Sequence, residues 1–234
     1  MARLPRLYAP DTPQLAQAEL TNPLQENGGG LDAAMFDTVQ QWLAEASQQH
    51  RVTLHGWCLL PDRLICLCTP AQADSLARMM QALGRKLASR QMAGAVFNGR
   101  YRCALVQPGQ WILPVLAWME SRPVAARLAP DAEAWPWSSA RAHTGSLIPA
   151  PAWLHNHPDY WRCGNTPFDR QAAYRQLLHD GLSREQEQRI ATALQGQWAL
   201  GDAAFLERLA GTASRRVQPG KRGRPRKTAA ASSR

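Results

Sequence analysis

The run Val52-Thr-Leu-His-Gly-Trp-Cys-Leu-Leu-Pro-Asp-Arg-Leu-Ile-Cys-Leu-Cys-Thr-Pro70 contains two apolar segments around a Leu60-Pro61-Asp62 turn. Leu54 to Leu60 and Arg63 to Thr69 are rich in β-formers and bounded by turn residues, which predicts the two strands of a hairpin. In a central sheet this hairpin is expected at the middle. Side chains two apart on a strand share a face, so chemistry on the second strand is expected at Arg63 and Ile65.

The flanking sequence supplies the partners. Upstream, Pro13 to Leu20 reads as an edge strand, and Glu26 to Gly30 as a flexible turn. Leu31 to His50 reads as a helix capped by Asp32, with Met35, Val39, Trp42, Leu43 and Ala46 on one stripe. Downstream, Leu76 to Met92 reads as a second helix. Its apolar face is Leu76, Met79, Met80, Leu83 and Leu87, with Arg78 and Arg85 opposite. Gly94 to Val106 is a loop running into a further strand, and Trp111 to Ser121 is a third helix that stops before Arg122-Pro123. That order predicts an α+β fold with helices on one side of an antiparallel sheet. Pro130 to Pro167, rich in Pro and Trp, reads as an irregular wrap. Helices are expected at Gln171 to Asp180, Ser183 to Gln195 and Ala203 to Ala210. The chain thus divides into a core (1–128), a wrap (129–170), a small helical region (171–213) and a basic tail (214–234) expected to be disordered when free.

Charge separates these regions. The net charge of +9 is carried unevenly: Arg215 to Arg234 holds eight Lys or Arg and no acid, and Ser75 to Arg102 holds six and no acid. The remainder has thirteen basic against eighteen acidic residues. Basicity gathered in one internal stretch and one tail points to a polyanion, nucleic acid before others. Phe97, Arg100, Tyr101 and Arg102 interleave aromatic and basic side chains, a mixture suited to single-stranded nucleic acid, although core packing accounts for Phe97 and Tyr101 nearly as well. The tail's Lys221-Arg-Gly-Arg-Pro-Arg-Lys227 resembles an AT-hook, whose arginines (Arg222, Arg224, Arg226) enter the minor groove of A·T-rich duplex; a generic basic tail is the other reading. No apolar run is long enough to span a bilayer, and no signal peptide is expected from Met1 to Pro10, so a cytoplasmic protein without a membrane partner is expected. Five cysteines without a C-x-x-C pair fit core thiols in a reducing compartment. His155-Asn-His157 lies in a proline-bounded loop and reads as structural or solvent-exposed histidines, not as a metal pair.

Several of these pieces together resemble the REP-associated tyrosine transposases of the HUH single-strand transposase superfamily. They are Met1-Ala-Arg-Leu-Pro-Arg-Leu7, the helix Leu76-x-x-Met-Met-Gln-Ala-Leu-Gly-Arg85, Gly99-Arg-Tyr-Arg102, Trp135-Pro-Trp-Ser-Ser139, Trp198-Ala-Leu-Gly201 and Gly223-Arg-Pro-Arg-Lys227. Each is weak alone, but their order and spacing are specific. The resemblance implies a ferredoxin-like core, recognition of hairpin-forming single strands, and cleavage of DNA by a tyrosine with a Mg²⁺ or Mn²⁺ ion held by two histidines. It also implies a bacterial source.

Laid on this chain, the histidine motif falls on Leu60-Pro-Asp-Arg-Leu-Ile65, with Arg63 and Ile65 at the ligand positions. The nucleophile motif falls on Ala117-Trp-Met-Glu-Ser-Arg-Pro-Val-Ala-Ala126, with Trp118 at the tyrosine position and Arg122 at that of an asparagine. The family's Arg-Gly-Asn-Asn-Arg run is replaced by Ala18-Glu-Leu-Thr-Asn22. Arginine, isoleucine and tryptophan offer neither a metal lone pair nor an oxygen nucleophile. The expected protein is therefore a transposase-related DNA binder with no intact catalytic residue, no metal and no cofactor. Its DNA contacts are expected at Arg78, Arg85, Arg100 and Arg102, and in the tail at Lys221, Arg222, Arg224, Arg226 and Lys227. The alternative is an active transposase or nuclease with a relocated tyrosine (Tyr8, Tyr101 or Tyr160) and His55 as a lone ligand.

Overall fold

Val52–Leu60 (β2) and Arg63–Pro70 (β3) form the predicted antiparallel hairpin, Leu60 facing Arg63 across the Pro61-Asp62 turn. The computed structural model of the protein describes residues 6–25, 30–91, 94–213 and 215–220. The turn is held from outside: Leu20 and Leu24 donate their backbone N–H groups to the carbonyls of Asp62 and Pro61, at 2.7 and 2.8 Å. Gln14–Glu19 (β1) pairs with β3 on one side and with Arg102–Leu105 (β4) on the other. The sheet is four-stranded, in the order β2-β3-β1-β4.

This order revises two expectations. β1 is an interior strand, not an edge, and β2 is an edge, so the hairpin's second strand alone lies in the middle. β1 was misread because its second partner, β4, arrives more than eighty residues later, and local alternation carries no trace of that pairing. The exposed edge of β2 is not left open. The Pro- and Trp-rich wrap lies along it: Leu59 N–H donates to Trp137 O, Ser139 N–H to Trp57 O and His155 N–H to Leu54 O, at 2.9, 2.9 and 2.8 Å. The Trp135 indole donates to Leu59 O at 2.9 Å, and Trp153 packs on Trp57 with ring centres 4.4 Å apart. Covering an edge in this way removes a template for strand addition.

The helices Ala33–Gln49 (α1) and Ser75–Gln91 (α2) complete the β-α-β-β-α-β order of a ferredoxin-like unit. Asp32 caps α1 by accepting from Met35 N–H at 2.9 Å, and Met35, Val39, Leu43 and Ala46 are buried as their spacing predicts. Leu76, Met79, Met80, Leu83 and Leu87 are buried on α2. These two helices lie on one face of the sheet; the expectation that the helices share one side holds for them and not for the third helix.

The opposite face has its own cover. Ile112–Glu120 (α3) packs on β2 and β3, and Arg184–Gly196 (α8) packs on β1 and β4. Gly56 lets α3 approach the sheet: a Cβ there would lie 2.5 Å from Leu116 Cδ2 and 2.9 Å from Met119 Cε. The chain does not leave the helical region at Arg122-Pro123 as expected. Ser121 stays in the right-handed region, and Arg122–Ala125 (α4) forms one more turn with Pro123 near its start, where a missing N–H costs nothing.

Within the wrap, Ala140–His143 (α5) and Pro158–Trp161 (α6) are single turns. Pro167–Asp180 (α7) and α8 each begin with a reciprocal capping box, Thr166 with Asp169 and Ser183 with Gln186. Tyr174 of α7 and Ile190 and Leu194 of α8 join the main core. Ala203–Ala210 (α9) joins a second cluster of Leu7, Ala9, Leu105, Ala199, Phe205, Leu209 and Val217. Val217 is buried there and its carbonyl accepts from Ala199 N–H at 2.8 Å. The AT-hook-like residues 221–227 lie outside the described residues.

Candidate functional site

Between the sheet and the α3, α4 and α8 helices lies a cavity of about 480 Å³. Arg63, Ile65, Trp118 and Arg122 all line it, although two come from a strand and two from the consecutive helices α3 and α4 some fifty residues later. Strand parity explains the first pair: Arg63 and Ile65 project to the α3 side, and Gln17, Glu19 and Arg102 lie level with them on β1 and β4. The second pair is four residues apart on one helical path and so shares a face. The rest of the lining is apolar helix and turn, including Ala125, Leu128, Ala191 and Leu194, with Gln195 at the rim.

Charge in the cavity is largely cancelled. Asp62 and Arg63 form a bidentate pair, at 3.0 and 2.5 Å. The Arg63 guanidinium holds the Asp62 carboxyl below its usual range, and the carboxylate in turn raises the arginine. Arg122 donates through Nε to the Trp118 carbonyl at 2.8 Å and through Nη2 to Glu187 at 3.2 Å, and its guanidinium lies 4.5 Å from the Trp118 ring centre. Burial lowers its pKa while Glu187 opposes the shift. The positive charge of Arg63 and Arg122 is therefore met locally by Asp62 and Glu187. Arg102, exposed at the rim, forms no ion pair among the described residues.

The lining does not suit the divalent ion that the sequence resemblance implies. It contains no histidine, cysteine or tyrosine. Of its two carboxylates, Asp62 is committed to Arg63 through both oxygens, and three guanidinium groups surround the space. Among the described residues no three His, Cys, Asp or Glu side chains gather into a group that could hold a metal.

A buried polar knot behind the cavity fixes α3. The Glu120 carboxylate is fully buried and accepts from the Ser139 hydroxyl, from Tyr174 OH at 2.7 Å and from His143 Nδ1 at 2.7 Å. Ser139 Oγ also accepts from Trp57 N–H at 2.9 Å, and Tyr160 OH donates to His143 O at 2.6 Å. One carboxylate thus ties α3 to β2, α5 and α7, which sets where Trp118 and Arg122 point. Sequence reasoning did not assign this role. The signal was present in Glu120 inside the nucleophile motif and Ser139 in Trp-Pro-Trp-Ser-Ser, but His143 and Tyr174 had no pattern to mark them.

The alternative nucleophiles lie elsewhere. Tyr101 is buried under the Arg6 guanidinium, 3.6 Å from the ring centre, and burial raises its phenol. Tyr160 is engaged as above, its phenol pushed up to about 12 by burial. Neither these nor Tyr8 lines the cavity. His55 has both ring nitrogens occupied: Nδ1 donates to His155 O at 2.7 Å, and Nε2 accepts from Thr69 Oγ at 2.8 Å. His155 and His157 do not form a pair; His157 is the buried N-cap of α6, accepting from Asp159 N–H at 3.1 Å, while His155 is exposed.

The predicted DNA-contacting arginines do not share one face. Arg78 and Arg85 lie on the outer side of α2, and Arg78 pairs with Asp74 at 2.6 Å with both groups over half exposed, a weak pairing. Arg100 is exposed in the loop before β4, and Arg102 is on the cavity side of the sheet. Arg85 and Arg100, like Arg102, form no ion pair among the described residues.

No protein-family model matches the chain, and no curated protein matches it. Among solved structures, that of a REP-associated tyrosine transposase bound to a REP hairpin superposes with a TM-score of 0.54 at 12% identity, covering 68% of this chain and 93% of that one. A crystal structure from Deinococcus radiodurans R1, named as a transposase, covers 46% of this chain and 88% of that one at 17% identity; its TM-score of 0.33 carries no argument. The first likeness establishes a transposase-like fold.

Proposed function

We propose that this chain is a DNA-binding protein of REP-associated tyrosine transposase descent that has lost strand cleavage. The observation that carries the proposal is the convergence of Arg63, Ile65, Trp118 and Arg122 on one cavity. These are the positions that the sequence resemblance reserves for the metal ligands, the nucleophile and the asparagine. Misalignment of two separate motifs would scatter them over the fold; a shared cavity supports both alignments at once. The side chains found there offer no metal ligand pair and no hydroxyl, so phosphodiester attack has no nucleophile in the cavity.

Binding without cutting is the function that remains. The fold neighbour was solved with a REP hairpin, and on this chain the matching partner is hairpin or single-stranded DNA. Arg85, Arg100 and Arg102, free of ion pairs with described residues, are the side chains available to phosphates. Lys221, Arg222, Arg224, Arg226 and Lys227 add a sequence-tolerant hold on duplex, with A·T-rich tracts favoured.

The deciding experiment offers labelled hairpin, single-stranded and duplex oligodeoxynucleotides to the full chain, with Mg²⁺ or Mn²⁺ present. Retarded complexes without a denaturant-resistant protein–DNA adduct are expected. An adduct would refute the loss of cleavage, and absence of binding to every oligonucleotide would refute the DNA reading.

A further inference from the structure

Two aromatic side chains stand in solvent among the described residues: Trp161 is 51% exposed and Phe168 80% exposed. They flank the corner between α6 and α7, which sequence reasoning treated only as the end of the wrap. That corner is held by several hydrogen bonds. His157 caps α6, and Asp159 within it accepts from Gly109 N–H at 2.6 Å, tying it to the turn before α3. Thr166 and Asp169 close a capping box at the start of α7. Arg170 Nη1 donates to Gly164 O at 3.1 Å, and Gly164 is pressed so close to α7 that a Cβ would lie 2.4 Å from Asp169 Cβ and 2.9 Å from Arg170 N.

The two aromatics are accompanied by positive charge. The Arg170 guanidinium lies 4.5 Å from the Trp161 ring centre, and the Arg162 side chain is 74% exposed beside it. Of the neighbouring carboxylates, Asp159 is buried and held by Gly109 and Arg162, whereas Asp169 is exposed and accepts from Thr166 N–H in the capping box. Trp161 is thus backed by a cation and still half open to solvent.

We propose that Trp161 and Phe168, with Arg162 and Arg170, form a stacking platform for unpaired bases of single-stranded DNA. The proposal rests on the DNA-binding reading and locates a contact that reading does not contain. Three features favour bases as the occupant. Each exposed ring offers a flat π-face, which any base can stack on. The backbone that carries both rings is already held by the caps of α6 and α7, so it need not be ordered on binding. The exposed area, roughly 250–300 Å² for the two rings together, suits one or two bases and falls well short of the ~800 Å² per partner of a stable protein interface.

The test measures binding of a labelled single-stranded oligodeoxynucleotide at two salt concentrations. It compares the full chain with Trp161→Ala/Phe168→Ala and with Trp161→Phe/Phe168→Tyr. The alanine pair is expected to weaken single-strand binding by at least roughly 10-fold, with an unchanged salt slope and unchanged duplex binding, whereas the aromatic pair retains affinity. Replacing bases by abasic sites should reproduce the loss in the unmutated protein, a readout independent of how the variants fold. Equal single-strand affinity for the alanine pair and for abasic strands would overturn the platform and leave the DNA reading intact. A self-association in sedimentation that the alanine pair abolishes, with single-strand binding unchanged, would make the patch a protein interface and also overturn it. If the unmutated protein binds no oligonucleotide, both readings fall.

Discussion

His55 makes stability depend on pH in a window where few side chains titrate. Its ring is buried and is the extra residue where the pairing register of β2 and β3 shifts between Leu54 and Gly56. Because His155 O can only accept, the hydrogen is fixed on Nδ1, and neutral Nε2 accepts from Thr69. Burial, with His157, His155 and His143 as neighbours that disfavour a further positive charge, lowers its pKa from 6.5 to about 4, the bond to His155 O opposing the shift. The unfolded chain takes up this proton near pH 6.5 and the folded chain only near 4. Stability is therefore fully present above pH 6.5, falls as the pH drops from 6.5 to 4, and is level again below 4 for this group. At about 1.36 kcal/mol per pKa unit the full loss is about 3 kcal/mol, most of it reached by pH 4.5. Urea unfolding of the unmutated protein and of His55→Gln, at steps from pH 7.5 to 4.5, isolates this term. The difference between the two proteins should shift by that amount in favour of the variant as the pH falls. Contributions from acid-range carboxylates such as Asp62 cancel in the comparison. Parallel pH curves, or a His55 ring-proton titration centred near 6 in the folded protein, would refute the reasoning.

Truncating Glu120 to alanine leaves Ser139, His143 and Tyr174 buried without their shared acceptor; a loss of about 3–5 kcal/mol is expected in denaturant unfolding, and a loss under 1 kcal/mol would contradict the knot's role in placing α3. Arg102→Ala should leave the melting temperature unchanged and lower the slope of log affinity against log salt for single-stranded DNA by roughly 0.7, the value of one phosphate contact. Ending the chain after Gly220, which keeps Val217 in its cluster, should flatten the same plot further by removing the tail's cations; an unchanged slope excludes the tail from the interface.

Local pattern was enough for much of the fold. The hairpin, α1, α2, α9 and the cap at Asp32 follow from spacing and from residue types that satisfy helix-end N–H groups, and these act within a few residues of themselves. Errors arose where a distant partner decides. β1 alternates like an edge strand until β4 pairs with it, and α8 is an ordinary amphipathic helix whose docking on the second sheet face has no mark in its own sequence. Val217 was hidden for the same reason: one apolar residue beside a basic tail has no periodicity, yet Leu7 and Phe205 bury it.

The candidate site was legible in its positions and not in its electrostatics. Motif alignment identified Arg63, Ile65, Trp118 and Arg122, and strand parity with helical spacing brings them to one cavity. Asp62, the residue next to Arg63, and Glu187, sixty-five residues from Arg122, neutralise the two guanidinium groups. A phosphate entering the cavity would have to compete with those carboxylates, whereas at Arg102 it meets a guanidinium with no ion pair among the described residues. On the DNA-binding reading proposed above, the phosphate contact therefore belongs at the β4 rim of the cavity more than at its floor. That is why Arg102, and neither Arg63 nor Arg122, is the residue whose removal should change the salt slope.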